Sequence, residues 1–394
     1  MQNVWNLKKS LTKNLVHNQK LGINKTTSLK MIIPQYQNLY GNDWKQLPLK
    51  ISKNHYLHIN YKLLKPIVKA FLKIVQSNRA KSNQEKLFKT SIKNEIFNNH
   101  LIEGYISSRR MINDLINQKQ HQNANKMILN LFNAMNYLYQ NRTINKENLR
   151  FLYQILTNEI AMGKETLDGQ YYRLDHVSIG QNDKGIDPSL IDQFVNDLLD
   201  FINDQQTLNQ EELIIKAIII HFYFELIHPY YDFNGRMGRL LVLWFAHNNQ
   251  IYDYLGFFSS ALALFRKQYL KIFQQTRFNQ TVDLTYFVGK ILEILTKQNH
   301  YYGNLIKFQI YTNQKFAKKL SSIQKEIIML DQAWREIYQL DYFSAIDLTK
   351  IIKQFSEYSL QLLYREIKNL ENYQILKRIN KRNAAYYIEY NLIR

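Results

Sequence analysis

The chain of 394 residues carries 52 Lys and Arg against 32 Asp and Glu, for a formal net charge of +20, and it contains no cysteine. The absence of cysteine excludes disulfides, thiolate zinc sites and cysteine nucleophiles. The length predicts two or three domains, and the low numbers of glycine (12) and proline (5) favour long helices joined by short loops.

The N-terminal region, residues 1–84, is basic and is predicted to be partly helical. Residues 1–100 hold 18 Lys and Arg against 3 Asp and Glu. Such a segment attracts nucleic acid or acidic surfaces, but the charges are scattered singly, which favours an ordinary solvated face. Neither a run of 18 apolar residues nor an apolar signal core is present, so we expect a cytoplasmic protein without a membrane span.

Apolar residues at helical spacing dominate the middle of the chain. They predict helices over 59–74, 84–100, 108–119, 124–140, 146–161, 188–203, 211–227 and 236–299. Residues 168–180 differ, because aromatic and β-branched residues take over and Val177 and Ile179 alternate with polar neighbours. This segment predicts a short β-hairpin, so the predicted fold class is mainly α with one small hairpin.

The stretch from His228 to Arg239 concentrates groups suited to transferring a phosphate-containing group. His228 follows an apolar helix, and a neutral imidazole there can accept a proton from an attacking hydroxyl. Asp232 is the only carboxylate in the stretch, and one carboxylate with phosphate oxygens commonly holds Mg²⁺. Asn234 and Gly235 form a turn and begin the next helix, whose first N–H groups attract phosphate.

Arg236 and Arg239 complete the stretch, since they share one helix face and can fork onto phosphates. Each feature alone is usually structural, but their combination within twelve residues favours a site.

The stretch resembles the signature of the Fic family, H-P-F-x-D/E-G-N-G/K-R-x-x-R. The matching residues are His228, Pro229, Asp232, Asn234, Gly235, Arg236 and Arg239. Tyr230 replaces the usual Phe. Phe233 replaces the usual Gly, which is tolerable if its φ stays negative, and it implies reduced or altered activity.

The resemblance covers roughly residues 85–300 and implies a Fic-type helical core with a β-hairpin flap that holds the target protein by strand addition. Gly169, Arg173 and Val177 resemble the flap pattern, and Tyr172 and Ile179 are assigned to the same target-docking element. Phe233 joins the nucleotide-binding residues through its backbone. Tyr269, on a later helix, is expected to pack near the base, although a core aromatic is the commoner role in a Tyr-rich chain.

A second resemblance concerns control of the site. Glu103 and Gly104 resemble the inhibitory helix of Fic proteins repressed from their own N-terminal side, with the pattern S/T-x-x-x-E-G/N, in which Asn99 takes the Ser/Thr place. The resemblance implies that Glu103 pairs with Arg239 and repels the outer phosphate of ATP. The alternative is a surface glutamate before a glycine helix stop.

The last segment differs in pattern from the rest. Residues 301–340 are predicted to be a helical connector, and 341–394 read helix, turn, helix and hairpin, the order of a winged helix-turn-helix domain. Ala345–Lys353 would be its first helix, and Ser359 caps the second. Basic residues cluster at the proposed wing, as phosphate contacts would: Lys377, Arg378, Lys381 and Arg382.

The resemblance implies a protein adenylyltransferase (AMPylase) that uses ATP and Mg²⁺ to modify a hydroxyl side chain of a protein partner, and that also removes AMP with help from Glu103. Other family members transfer groups from UTP or CDP-choline, or transfer phosphate, and the signature leaves these open, as it does a toxin-like enzyme. A DNA-binding transcriptional regulator acting through the C-terminal domain is the alternative from another class. DNA and a second copy of the chain also stay open as partners.

Overall fold

The computed structural model describes part of the chain, in the following stretches: residues 41–52, 55–79, 84–104, 112, 126–160, 171–179, 183–204, 206–278, 283–316, 321, 323–324, 343–344, 359–373, 376–380 and 385–388. The chain divides into two compact units. The first comprises Met1–Lys73, Asn125–Phe258 and Lys267–Ile294, and the second comprises Ile74–Ala124, Ser259–Arg266 and Leu295–Arg394.

The described part of the chain is mainly helical, as predicted. The helices are α1 (Tyr61–Arg79), α2 (Gln84–Ile102), α3 (Lys126–Gln140), α4 (Lys146–Thr157), α5 (Pro188–Asn203), α6 (Gln210–Ile227), α7 (Asn234–Asn248), α8 (Tyr252–Leu255), α9 (Phe258–Leu264), α10 (Arg266–Phe278), α11 (Thr285–Phe316) and α12 (Leu360–Asn372). The strands are β1 (Trp44–Ser52), β2 (His55–Asn60), β3 (Ser178–Ile179), β4 (Asp183–Lys184), β5 (Phe343–Ser344), β6 (Leu376–Asn380) and β7 (Ala385–Ile388). Within these described residues, no helix is long and apolar enough to cross a membrane.

Helix α6 forms the centre of the first unit. Its sequence after Glu212 is mostly apolar and has no polar face, and its residues from Ile214 to Glu225 are all buried. A capping box begins the helix, because the Asn209 side chain accepts from the Glu212 N–H while the Glu212 carboxylate accepts from the Asn209 N–H. Helices α5 and α7 pack on α6. A helix without a solvent face is stabilised by burial on all sides.

A β1–β2 hairpin also belongs to the first unit, in a region where no strand was predicted. The two strands pair antiparallel with a register irregularity between Gln46 and Lys50, around Pro48, which cannot donate to a ladder. The hairpin packs on α5. Its last residue is tied to α11, since the Asn60 N–H donates to Thr285 Oγ1 at 2.9 Å.

In the second unit, polar groups join α2 to α9. Glu95 is fully buried, and its Oε1 accepts from the Ser259 N–H at 3.0 Å, a favourable place for a carboxylate because this is the start of a helix. One turn later, Asn99 Nδ2 donates to Ser259 Oγ at 2.9 Å. Arg266 Nε donates to the Ile102 carbonyl at 2.7 Å and so satisfies the end of α2.

The C-terminal part contains α12 and a three-stranded antiparallel sheet in the order β5-β7-β6. Ser359 caps α12 as predicted, accepting from the Leu362 N–H. The predicted helix Ala345–Lys353 lies outside the described residues, as do Lys381 and Arg382. The winged helix-turn-helix domain and its DNA contacts therefore stay predictions.

Candidate active site

The predicted site lies on the loop between α6 and α7, whose two ends both adopt left-handed backbone conformations. His228 ends α6 with φ 52° and ψ 60°, and its N–H donates to the Phe224 carbonyl at 2.9 Å. Phe233 precedes α7 with φ 66° and ψ 5°. The φ of Phe233 is therefore positive, and the expectation that it stays negative is wrong. Left-handed residues at both ends turn the chain sharply, so α6 runs directly into a tight loop and then into α7.

Asn234 closes this loop. Its side-chain oxygen accepts from the Tyr230 N–H at 2.9 Å, and its amide donates to the Tyr230 carbonyl at 2.8 Å. Tyr230 is buried and stacks on Tyr153 of α4, with ring centroids 3.8 Å apart and planes 7° apart. Because the Asn234 side chain is bonded within the loop, only the Asn234 backbone could contact a phosphate. Gly235 follows in the first turn of α7.

The N-terminus of α7 is preceded by Phe233, whose phenyl ring cannot accept a hydrogen bond from the first-turn N–H groups. Asp232 uses its Oδ1 to accept from the Phe233 N–H at 2.6 Å. The Asp232 side chain is 62% exposed, and the same oxygen lies 3.9 Å from Arg236 Nη2. An oxyanion placed here would meet the helix N-terminus, next to the buried guanidinium of Arg236.

Arg236 lies beneath the ring of Phe233. The guanidinium carbon is 3.4 Å from the ring centroid, and Arg236 and Phe233 are 2% and 4% exposed. Arg239, one turn further along α7, is 1% exposed. Both predicted phosphate-binding arginines are thus buried at the start of α7.

The imidazole of His228 is partly accessible, at 21% exposure, and Glu225 stands one helical turn before it. The distance from His228 Nδ1 to Glu225 Oε2 is 4.0 Å, which is too long for a hydrogen bond. The sequence analysis did not predict Glu225 as a site residue. The sequence does offer a signal for it, because Glu225 is the one acidic residue within the apolar run 213–229.

His221, a further residue missed from the sequence, links α6 to the predicted Tyr269. Its Nε2 lies 3.0 Å from the Tyr269 hydroxyl, so Tyr269 contacts a histidine two turns before His228. Burial, reinforced by the nearby positive charge of Arg239, lowers the pKa of His221 to about 3. His221 is therefore neutral at physiological pH. A Cβ atom at Gly238 would lie 2.7 Å from Glu225 Oε1, so glycine allows α7 to approach these side chains.

Arg173, predicted to belong to the target-docking flap, is bonded to the backbone at the start of the loop between α6 and α7. It is 1% exposed. Its guanidinium donates to four carbonyls, those of His228 (2.8 Å), Asp175 (2.6 Å), Ile186 (2.8 Å) and Ile227 (3.4 Å). Its own N–H donates to the Pro229 carbonyl at 3.0 Å. Arg173 thus fixes the backbone on both sides of His228.

The predicted flap forms a hairpin somewhat later in the chain than expected, with Ser178 opposite Lys184 and Ile179 opposite Asp183. Tyr172 is buried and Val177 is half-buried. The side chain of Ile179 and the whole of Gly169 lie outside the described residues. Leu174 is 59% exposed. Its N–H donates to the Tyr231 hydroxyl, which donates in turn to Asp175 Oδ2. The segment that precedes the hairpin is therefore bonded to the loop between α6 and α7.

Glu103 follows α2 in the second unit and has an exposed side chain. Gly104, with φ 82°, donates its N–H to the Leu101 carbonyl. Helix α2 ends at Ile102, two residues later than predicted. Arg239 belongs to the first unit. The pairing of Glu103 with Arg239 stays a prediction.

Residues 143–246, which include the loop between α6 and α7, match the model of the Fic/DOC family. The protein named "Probable protein adenylyltransferase aq_aa38" from Aquifex aeolicus (strain VF5) is 24% identical over 213 residues, covering 51% of this chain and 63% of that protein. The protein named "Protein adenylyltransferase fic-1" from Caenorhabditis elegans is 37% identical over 57 residues, covering 14% of this chain and 11% of that protein. The chain therefore spans less than two thirds of either relative.

A Fic family protein from Desulfovibrio desulfuricans G20, whose crystal structure is known, has a similar fold. The TM-score is 0.50 with 16% sequence identity, and the match covers 87% of this chain and 98% of that one. The fold of this chain is accordingly shared with a Fic family protein.

Proposed function

We propose that this chain is a protein adenylyltransferase that transfers AMP from ATP to a Tyr, Thr or Ser hydroxyl of a target protein. The observation that carries the proposal is the loop between α6 and α7. It brings a partly exposed imidazole, an exposed carboxylate and the N-terminus of an arginine-bearing helix together within twelve residues. The names of the two relatives support the choice of AMP as the transferred group.

In the proposed reaction, His228 accepts the proton of the target hydroxyl. The hydroxyl oxygen then attacks the α-phosphorus of ATP, a new P–O bond forms, and the bond to the bridging oxygen breaks, so that pyrophosphate leaves with that electron pair. The first N–H groups of α7 hold the α-phosphate, while Arg236 and Arg239 stabilise the charge on the outer phosphates. Glu225, 4.0 Å from His228 Nδ1, stabilises the imidazolium that results.

The residues present fit Mg²⁺ as the accompanying cation. Asp232 is 62% exposed, and Oδ1 is the oxygen that accepts from the Phe233 N–H, which leaves Oδ2 to face a cation. Among the described residues no group of three or more acidic or histidine ligands occurs, so a cation here would share its coordination with phosphate oxygens, as Mg²⁺ commonly does. When bound, it would neutralise charge on the phosphates.

Glu103 belongs to the proposal as an inhibitory residue. A carboxylate beside Arg239 would occupy the place of the outer phosphate and turn ATP into a non-productive pose. The same carboxylate would position a water for hydrolytic removal of AMP, which releases AMP and restores the target hydroxyl. Asn99, in the Ser/Thr place of the resembling motif, is bonded to Ser259, which fixes the turn of α2 that precedes Glu103.

Incubation with ATP and Mg²⁺, followed by intact-protein mass spectrometry, tests the proposal. Glu103→Gly should show an AMP adduct at a rate at least about tenfold above wild type, if the inhibitory contact is worth about 1.4 kcal/mol. Adding His228→Ala should lower that rate by about 10²–10⁴-fold, as expected for loss of a general base. His300→Ala, which removes an exposed histidine of α11, is the matched control and should leave the rate unchanged.

Two results would contradict the proposal. If the His228→Ala protein labels itself as fast as the His300→Ala control, His228 is not the base. If UTP or CDP-choline yields an adduct while ATP yields none, the chain is a transferase of a different group. Equal labelling of wild type and Glu103→Gly would remove the inhibitory role of Glu103 and leave the transfer chemistry standing.

A further inference from the structure

Phe233 combines an unfavourable backbone with a specific side-chain contact. Left-handed φ values are disfavoured for bulky side chains, yet Phe233 has φ 66° at the position where the resembling signature has glycine. Its N–H is held by Asp232 Oδ1 at 2.6 Å, and the next residue, Asn234, clamps Tyr230. A strained residue that is fixed from both sides points to a role for its side chain.

We propose that the phenyl ring of Phe233 is a cover on Arg236 that sets the affinity of this site for the outer phosphates of a nucleoside triphosphate. The inference rests on the proposed function, because it assumes that Arg236 binds phosphate. It assigns to Phe233 a role in substrate affinity that glycine, having no side chain, cannot have.

The contact between the ring and the guanidinium carries the inference. The guanidinium carbon lies 3.4 Å from the ring centroid, which is van der Waals contact over the ring face. Because the two side chains exclude water from each other, at 2% and 4% exposure, this cation–π contact belongs to the stronger, desolvated kind. Arg236 recognises a phosphate through its N–H groups, and its side chain is 3% exposed. In the proposed cover, the ring shifts before an anion from solvent reaches those groups.

A second group acts in the same direction as the ring. Asp232 Oδ1 lies 3.9 Å from Arg236 Nη2, so a phosphate arriving at Arg236 meets a nearby carboxylate as well as the ring. The open arrangement, with the ring displaced, is then a minority state, and the apparent dissociation constant for ATP exceeds the intrinsic one by the reciprocal of its fraction. Removing the ring raises that fraction.

Nucleotide binding to variants of the full chain tests the cover. In a His228→Ala background, which prevents turnover, Phe233→Gly and Phe233→Asn both remove the ring, and both residues tolerate positive φ. Each should bind ATP about tenfold more tightly than the Phe233→Tyr control, a difference of about 1.4 kcal/mol. AMP, which lacks the outer phosphates, should show a smaller change.

Reaction of Arg236 with phenylglyoxal, located by peptide mass spectrometry, provides a second readout that does not depend on ATP. Arg236 should react several-fold faster in Phe233→Gly than in wild type, whereas Arg239, one turn further along α7, should react equally in both. Equal reactivity of Arg236 in the two proteins would overturn the cover.

The outcomes separate this inference from the proposed function. If Phe233→Gly and Phe233→Asn bind ATP no more tightly than Phe233→Tyr while the active chain still transfers AMP, the cover is wrong and the proposed function stands. If they bind ATP more tightly but no variant with His228 intact transfers AMP, the cover stands and the proposed function is wrong. Absence of ATP binding in every variant would overturn both.

Discussion

Replacing Arg173 should be among the most damaging single changes in the first unit. A hydrogen bond from a charged donor contributes about 1.5–3 kcal/mol, so the three contacts of 2.6–2.8 Å would sum to roughly 5–9 kcal/mol. Contributions that share one side chain are not additive, and losses above about 4–5 kcal/mol are exceptional. We therefore expect Arg173→Ala to cost about 3–5 kcal/mol of unfolding free energy, and Arg173→Lys, which keeps the charge but loses the fork, about 1–3 kcal/mol.

Urea denaturation gives the measurement, with the midpoint shifted and the slope unchanged. Arg142→Ala is the matched control, since exposed Arg142 also donates to a carbonyl, that of His247 at 3.2 Å, and should cost less than about 1 kcal/mol. A loss for Arg173→Ala no larger than that of the control would refute the reasoning. Arg173→Lys should also slow AMP transfer more than it weakens ATP binding, because its lost bond to the His228 carbonyl positions the base rather than the nucleotide.

Three further predictions concern the buried polar groups. Gly238→Ala should lower the melting temperature and the transfer rate together, because its Cβ would lie 2.7 Å from the Glu225 carboxylate; unchanged values would show that Glu225 can move aside. Since the pKa of His221 falls from 6.5 to about 3 on folding, the unfolded state binds the proton first and stability declines as pH falls from about 6.5 towards 3. The slope is at most about 1.4 kcal/mol per pH unit, and His221→Gln should flatten it in pH-dependent urea titrations. Glu95→Gln should cost less than Glu95→Ala in the same assay, since only the amide can still accept from Ser259 N–H; equal costs would mean that this hydrogen bond contributes nothing.

The loop between α6 and α7 could be predicted from the sequence because its polar residues are contiguous. His228, Asp232 and the two arginines of α7 fall within twelve residues, between apolar runs whose period is helical. Local signals of this kind depend on few distant contacts. The end of α6 at His228 and the start of α7 at Asn234 therefore agree with the residues named in advance.

The role of Arg173 could not be predicted in the same way. Its bond to the His228 carbonyl joins residues 55 positions apart, and nothing in the flap sequence indicates that its arginine turns inward. The φ of Phe233 was mispredicted for a related reason. Intrinsic preference disfavours a left-handed phenylalanine, but Asp232 and Asn234 fix the turn and the ring gains a contact with Arg236, so the surroundings override the preference.

The β1–β2 hairpin was missed because its pattern is irregular. Trp44, Leu47 and Leu49 are buried, a spacing that changes from three to two across the irregularity near Pro48, so strict alternation is absent. The hairpin flap was placed early for the opposite reason: alternation at Val177 and Ile179 marks its first strand correctly, but the return strand at Asp183–Lys184 carries no apolar signal.

The burial of α6 on every face has a consequence for how this sequence can vary. An amphipathic helix such as α5 has exposed positions, for example Asp192 and Gln193, so tolerance to polar substitution should rise and fall with the helical turn. Helix α6 has no exposed positions between Ile214 and Glu225. Saturation mutagenesis of this segment should therefore find polar substitutions destabilising at every position, without a 3.6-residue periodicity. His228 thus stands at the end of a segment that tolerates few substitutions, whereas the exposed Leu174, whose N–H bonds to Tyr231, can be replaced more freely.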